Sequence, residues 1–166
     1  AALTPPLTNP QIPKYGHNLK FDYLVLARAG VRAAPLAFDT MLAEWLCDPA
    51  SHSLGLKKLS FVRLGIEMTE IKELIGTGKK QITMAQVPVE ACAPYAAADV
   101  DMTTRLQPIL AAEMEEKNQT KLFNEMEMPL VPVLARMEEI GIACDVALLR
   151  DMGQGLNEQV RYLEEA

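Results

Sequence analysis

The sequence lacks any apolar run of about 20 residues, has few cysteines and carries no excess of basic residues. A helix that spans a bilayer needs such a run, so no membrane-spanning segment is expected. Cys47, Cys92 and Cys144 lie far apart without CxxC spacing, which argues against a disulfide framework or a zinc site and favours a reducing cytoplasm. With 49% hydrophobic and 23% charged residues, the composition predicts a soluble, folded chain rather than a disordered one.

The net charge of -6 is concentrated near the end of the chain. Residues 113–166 hold 12 acidic and 5 basic side chains, which leaves 10 acidic and 11 basic residues elsewhere. Nucleic-acid binders usually show a basic patch or stripe, so charge alone does not predict such a protein. The local exceptions are two pairs of basic residues, Lys57 with Lys58 and Lys79 with Lys80.

The 166 residues are enough for about one domain. The N-terminal stretch AALTPPLTNPQIPKYG lacks an initiator Met and has no signal-peptide pattern. The last predicted helix, from about Val146, reaches the end of the sequence without a stop signal. We therefore expect both ends to lie within a longer protein.

Local signals predict a mixed, helix-rich fold. IPKYG is a short extended segment, and Asn18 is a candidate N-cap of a helix that stops at Gly30. PLAF resembles a short buried strand, after which Asp39 is placed to cap a helix that Pro49 ends. Further helices are expected around residues 54–64, in TEIKELIG, around 119–127 and 129–140, and from Val146, with GTGKKQITMAQV as a loop and GIACD as a short extended piece.

From Pro88 onward the pattern predicts a long helix that Pro94 and Pro108 should kink or divide into shorter pieces. Asp99 shares a face of this helix with Tyr95, Met102 and Leu106, because side chains three, four and seven residues apart point the same way. Asp101 points away and is expected to be a solvated surface charge.

The same spacing test places Asp22 on a face with Val25, Leu26 and Ala29, so it is predicted to face inward. A buried carboxylate is costly unless it is paired, hydrogen-bonded or bound to a metal. A hard cation such as Mg²⁺, shared by Asp22 and Asp99, would explain both residues. The alternative is that each carboxylate accepts hydrogen bonds from nearby backbone or side-chain donors.

Three segments resemble a known family. GHNLKFD, then FDTMLAEWL, and later YAAADVDMTTRL resemble the second and third motifs of the 3′ to 5′ proofreading exonuclease domain of the bacterial family A DNA polymerases, the DNA polymerase I family. EMPLVPVLARMEEIGIACD resembles the passage into the polymerase domain at the base of the thumb. The order and spacing of these motifs also agree with the family from about Pro13.

The resemblance implies a fold and a division of the chain. It implies an α/β, helix-rich chain, consisting of a partial ribonuclease H-like (DEDD-type 3′ to 5′ exonuclease) domain without its first strands, followed by helices of the polymerase thumb base. Residues 1–116 would be the C-terminal portion of the exonuclease-like domain, and residues 117–166 the start of the polymerase domain. The host protein would be cytoplasmic, bacterial and nucleoid-associated, with no membrane partner.

Site residues follow from the resemblance position by position. Asp22 matches an aspartate that helps to hold one of two divalent ions, and Asp99 matches a ligand of the other. Tyr95 matches the tyrosine that orients the attacking water. Asn18 matches an asparagine near the substrate, a role compatible with a plain N-cap. The implied cofactor is Mg²⁺, or Mn²⁺ or Zn²⁺, in a two-metal site.

The implied reaction is hydrolysis of the 3′-terminal phosphodiester of single-stranded DNA. Its partners would be that 3′ end, the primer-template and the rest of the polymerase chain. Lys57, Lys58, Lys79 and Lys80 are candidate phosphate neighbours, and the alternative is that they are solvated surface lysines.

Two histidines and a third aspartate receive structural interpretations. Asp39 is interpreted as a helix cap rather than as support for the active site. His17 and His52 have no partners at metal-ligand spacing and are expected to be non-catalytic.

The chain departs from the family pattern at its start. The first exonuclease motif, an Asp and a Glu on a strand, should precede Asn18 by several tens of residues, but the 17 residues before it contain no acidic side chain. The polymerase motifs are also expected beyond residue 166. We therefore expect this segment alone to be inactive. A catalytically silent scaffold for the polymerase domain and a helical interaction module remain alternatives.

Overall fold

The computed structural model describes residues 2–165. Two short strands, β1 (Lys14–Gly16) and β2 (Leu36–Asp39), pair in parallel, with Tyr15 opposite Phe38. Both strands coincide with predicted extended segments, and the remaining elements are helical. The predicted mixed, helix-rich fold is therefore confirmed.

Helices form most of the remaining structure. They are α1 (Thr4–Thr8), α2 (Leu19–Arg28), α3 (Thr40–Cys47), α4 (Leu56–Leu64), α5 (Ile71–Ile75), α6 (Val89–Glu116), α7 (Thr120–Leu122), α8 (Met128–Ile140) and α9 (Val146–Glu165). Short 3₁₀ turns at Gly78–Lys80 and Met84–Gln86 interrupt the predicted Gly- and Lys-rich loop. A π-helical turn at Phe123–Glu127 joins α7 to α8.

Helix α6 runs without interruption through both of its prolines. The predicted long helix is therefore confirmed; of the two expected effects of Pro94 and Pro108, division of the helix does not occur. Proline removes one backbone hydrogen bond, but a long helix can keep its course when tertiary packing holds the segments on both sides. Here Met102, Thr103, Leu106, Leu110 and Met114 of α6 are buried.

The chain divides into two compact units, one that ends at Arg136 and one that begins at Met137. In the first unit, Leu59, Leu106 and Leu110 are fully buried where α3 and α4 pack against α6. Phe38 of β2 contacts Phe123 of the π-helical turn, with ring centroids 4.9 Å apart. This core fixes the relative positions of β1, α2, α4 and α6.

In the second unit, α9 has no buried residue, although its sequence is strongly amphipathic. Its apolar side chains, among them Leu149, Leu156 and Leu163, are exposed. Within residues 2–165, no helix combines the length and the apolar composition that crossing a bilayer requires.

Candidate functional site

A cavity of about 710 Å³ opens in the first unit, where β1, α2, α4 and α6 meet. Its polar and charged lining includes Asp22 and Asp99 from two different helices. The side chains that bear most directly on its chemistry are Lys14, His17, Asp22, Lys57, Lys58 and Asp99. Tertiary packing therefore brings together two carboxylates that lie far apart in the sequence.

Asp22 lies on the exposed side of α2, so the prediction that it faces inward is wrong. The buried residues of this helix are Leu19 and Leu24, and Val25, which shares the face of Asp22, is 49% exposed. Partial desolvation raises the pKa of Asp22, and the negative charges of Asp39 and Asp99 raise it further. The carboxylate thus sits at the wall of the cavity rather than in the core.

Asp99 lies on the inward stripe of α6, as predicted, one turn before buried residues Met102 and Thr103. Desolvation raises the pKa of the Asp99 carboxyl, and the positive charge of Lys57 opposes that shift. Asp101 is exposed and forms an ion pair with Arg105 at 2.9 Å, so its prediction as a surface charge is confirmed.

The donor set of the cavity is compatible with a hard divalent cation. Two neighbouring carboxylates repel each other when both are ionised, and a shared cation would offset this repulsion. Mg²⁺ is usually bound through one or two carboxylates and keeps several waters. Among residues 2–165, however, no group of three or more His, Cys, Asp or Glu side chains is placed to hold a metal ion. The residues present fit part of a metal site.

Tyr95 is half-buried on α6, one turn before Asp99, and its hydroxyl contacts Lys57 of α4. The Lys57 Nζ lies 3.1 Å from the Tyr95 hydroxyl oxygen and 4.4 Å from the centre of the tyrosine ring. The same ammonium donates to the carbonyl oxygen of Thr69. This contact was not predicted from the sequence.

The four predicted phosphate neighbours occupy two different places. Lys57 and Lys58 line the cavity from the first turn of α4. Lys79 and Lys80 are exposed on a 3₁₀ turn and are not part of the cavity lining. The structure therefore brings only the first pair to the carboxylates.

His17 lines the cavity, although the sequence indicated no chemical partner for it. Its Nδ1 lies 2.9 Å from the hydroxyl of Thr40. Burial lowers the pKa of His17, while the nearby charges of Asp39 and Asp99 act in the opposite direction. His52, in contrast, is exposed. The only sequence signal for His17 was its position next to Asn18 in the GHNLKFD motif.

Asn18 precedes α2 in the left-handed backbone conformation, with φ 58° and ψ 49°, and its side chain makes no capping hydrogen bond. Asn18 therefore occupies the predicted N-cap position of α2, but its side chain does not cap the helix. The buried carboxylate of Asp39 performs this role instead, because it accepts hydrogen bonds from the backbone N–H groups of Asn18 at 3.0 Å and Leu19 at 2.7 Å. The left-handed conformation is one that asparagine tolerates better than most residues.

Asp39 also caps its own helix, as predicted. Its carboxylate accepts hydrogen bonds from the backbone N–H groups of Met41 at 2.9 Å and Leu42 at 3.4 Å. Asp39 is 1% exposed, so one buried carboxylate fixes the starts of α2 and α3. The segment that carries Asn18 and Asp22 is thereby held against β2.

Comparison with known proteins agrees with this architecture. Residues 1–115 match the family model described as the 3′-5′ exonuclease of family A DNA polymerases. DNA polymerase I of Chloroflexus aurantiacus is 44% identical over 167 residues, which cover 99% of this chain and 17% of the relative. The chain thus spans about a sixth of the length of that relative.

Two solved structures are similar to the chain as well. The polymerase domain of Pol1 from M. smegmatis, in complex with DNA primer-template and dNTP, gives a TM-score of 0.67 at 27% identity and covers 96% of this chain and 24% of that one. The structure of Brucella melitensis NrnC with bound Mg²⁺ gives a TM-score of 0.67 at 25% identity. The match covers 85% of this chain and 65% of the NrnC chain.

The matches define an exonuclease-type domain with the helix-rich α/β fold described above. The chain belongs to the 3′-5′ exonuclease family of the family A DNA polymerases, and it is homologous to the exonuclease region of DNA polymerase I.

Proposed function

We propose that this chain forms part of the proofreading site of a longer DNA polymerase of the DNA polymerase I type. The site hydrolyses the 3′-terminal phosphodiester of single-stranded DNA. The observation that carries this proposal is that Asp22 of α2 and Asp99 of α6 line one cavity, where each lies in an environment that disfavours its charged form. Carboxylates in this arrangement are suited to cations, because a bound cation offsets both desolvation and mutual repulsion.

Asp22 and Asp99 act as the metal-binding carboxylates, and Tyr95 orients the attacking water. Bound divalent ions, Mg²⁺ or Mn²⁺, would lower the pKa of that water and stabilise the attacking and leaving oxygens. Tyr95 does not line the cavity itself, but it lies one helical turn before Asp99, so the two side chains share a face of α6. Mg²⁺ is the ion present in the related NrnC structure.

The DNA strand approaches the cavity on the side where Lys58 lies, at the first turn of α4. Lys58 lines the cavity and is exposed, which suits a contact with the phosphate backbone. Lys79 and Lys80 meet the strand further from the cleaved bond, and Asn18 contacts it near the terminal nucleotide. The Pol1 homologue from M. smegmatis, solved with a primer-template, supports DNA as the partner.

Residues 1–116 belong to the exonuclease domain and residues 117–166 to the start of the polymerase domain. We expect the host protein to be bacterial, cytoplasmic and associated with the nucleoid. The segment alone is inactive, since two carboxylates are too few to hold two ions firmly. In the whole protein, other parts of the chain complete the site.

The test is the nuclease activity of the full-length chain that carries this segment. The wild-type protein degrades single-stranded 3′ ends with Mg²⁺ or Mn²⁺, and Asp22→Ala combined with Asp99→Ala abolishes this activity. Asp101→Ala is the matched control, because Asp101 is an exposed acidic residue of the same helix, paired with Arg105. Activity that survives the double substitution would remove Asp22 and Asp99 from the site.

A silent scaffold is the second candidate, favoured by the finding that residues 2–165 contain no group of three or more metal-ligating side chains. The sequence that precedes this segment in its gene discriminates the two functions. An Asp-x-Glu on a strand supports the nuclease, whereas its absence supports the scaffold.

A further inference from the structure

Lys57 makes contacts that set it apart from the neighbouring lysine. Its ammonium is shared between the Tyr95 hydroxyl at 3.1 Å, the face of the Tyr95 ring and the carbonyl oxygen of Thr69. Lys57 is also only partly exposed, whereas Lys58 is exposed in the same turn of α4. Lys57 is therefore already engaged by protein groups on α6 and on the segment before α5.

The hydrogen bond between Lys57 and Tyr95 has a defined direction. An ammonium group has three N–H donors and no acceptor, so Lys57 donates and the Tyr95 oxygen accepts. The hydroxyl hydrogen of Tyr95 therefore cannot point to Lys57 and is available to a different acceptor. A tyrosine can orient a water or hydroxide by donating this hydrogen to it, and the contact with Lys57 favours hydroxyl rotamers that leave the hydrogen available for that purpose.

A second hydrogen bond, to Thr69, also holds the Lys57 ammonium in place. Thr69 accepts from Lys57 through its backbone carbonyl, which holds the lysine between α4 and the segment before α5. The positive charge also acts on Asp99, the carboxylate one turn after Tyr95, and opposes the effect of desolvation there. Lys57 thus interacts with both Tyr95 and Asp99, the two α6 residues of the proposed reaction centre.

We infer that Lys57 is a positioning residue that holds the Tyr95 hydroxyl in its donating orientation beside Asp99, rather than a contact for DNA phosphates. This inference rests on the proposed exonuclease function. A positioning residue acts on the reaction step and a phosphate contact acts on binding, so the two roles predict different kinetics.

The kinetic test uses single-turnover and steady-state degradation of single-stranded DNA by the full-length chain. Lys57→Met, which keeps an unbranched side chain without the charge, lowers kcat about 10- to 100-fold, as expected for loss of a hydrogen bond from a charged donor, and leaves KM within about twofold. Lys58→Met is the matched comparison and raises KM with little change in kcat. In a Tyr95→Phe background, Lys57→Met produces no further loss of kcat, because the hydroxyl it positions is missing.

A spectroscopic test needs neither metal nor DNA. The Lys57 methylene protons next to Nζ lie close to the tyrosine ring, so their NMR signals are shifted by the ring current and return toward ordinary values in Tyr95→Leu. The Tyr95 Cζ signal moves in Lys57→Met and stays in place in Lys58→Met.

The possible failures are distinguishable. An active wild-type protein in which Lys57→Met raises KM and weakens the salt dependence of KM at unchanged kcat would make Lys57 a phosphate contact and overturn the inference alone. An unchanged Tyr95 Cζ signal in Lys57→Met would also overturn the inference about Lys57 alone. A wild-type protein without nuclease activity would overturn the proposed function and, with it, the role of Lys57.

Discussion

Asp39 accepts a hydrogen bond from the backbone N–H of Leu19 at 2.7 Å, across 20 residues of sequence. The same buried carboxylate caps α3, so two helix starts depend on it. Helix N-termini leave N–H groups without intrahelical partners, and a carboxylate there also interacts favourably with the helix dipole. The loop that leads to Asp22 is therefore anchored by a residue outside the cavity.

Asp39→Ala is expected to lower the free energy of unfolding by about 2–4 kcal/mol, because it leaves buried N–H groups of both helices unsatisfied. Chemical denaturation measures the loss. Asp48→Ala is the control, since Asp48 accepts a hydrogen bond from the N–H of Ala50 in an exposed turn, and it should cost less than about 1 kcal/mol. Equal losses for the two variants would contradict the double cap.

Arg63→Met is expected to lower the free energy of unfolding by about 3–5 kcal/mol, because it strands a buried carboxylate. Arg63 contacts Glu44, which is 2% exposed, at 2.8 Å and Glu113 at 2.8 Å. Arg105→Met breaks the exposed pair with Asp101 and should cost about 1 kcal/mol or less. Urea denaturation of both variants makes the comparison, and a small loss for Arg63→Met would show that Glu44 finds another partner.

Glu113 is expected to stabilise the fold near neutral pH and to lose that contribution in acid. The hydrogen bond from Lys117 and the charge of Arg63 lower the pKa of Glu113 below its ordinary value of 4.5. A lowered folded-state pKa gives stability that is present above the ordinary value and lost as the pH falls through the folded value. The difference in unfolding free energy between wild type and Glu113→Gln should therefore shrink as the pH is lowered from 7 to 3. A difference that stays constant would contradict this assignment.

Asp22→Asn and Asp99→Asn are each expected to raise the melting temperature at pH 7 in EDTA. Both carboxyls have raised pKa values, so their ionisation destabilises the fold as the pH rises from the ordinary value of 3.8 through the folded-state value. The gain should vanish below the ordinary value, where wild-type Asp22 and Asp99 are protonated. Residues that serve function often lower the stability of the fold, so replacing them commonly raises the melting temperature.

Mg²⁺ or Mn²⁺ should then raise the melting temperature of the wild-type chain and have no such effect on Asp99→Asn, because in the proposed site the ions would bind the folded state through this carboxylate. Asp101→Asn serves as the control and should keep the metal response. A response to Mg²⁺ that persists in Asp99→Asn would place the ion elsewhere. The absence of any response in the wild type would favour the helical interaction module.

Local chemistry made several elements predictable from the sequence. Asp39 followed by TMLAEWLCD predicted α3 and its cap, and the extended segments that form β1 and β2 were also recognised. Helix α1 was missed, although Pro5 and Pro6 occupy its first positions, where proline is well tolerated. Capping and backbone preference act within a few residues, so they can be recognised without the rest of the fold.

The orientation of Asp22 could not be decided in this way. Spacing showed which residues share its face of α2, but not whether that face packs against the core. In the folded chain Leu19 and Leu24 are buried, and the face of Asp22 borders the cavity. The continuity of α6 through Pro94 and Pro108 likewise depends on what packs against that helix.

The sequence by itself determined the mixed, helix-rich character of the fold, the short strands and the Asp39 cap of α3, because these depend on neighbours a few residues away. Only the tertiary structure placed Asp22 beside Asp99 and put the Lys57 ammonium on Tyr95, 38 residues further along the chain. Contacts between distant segments depend on how the helices pack around the core, and no local pattern encodes that packing.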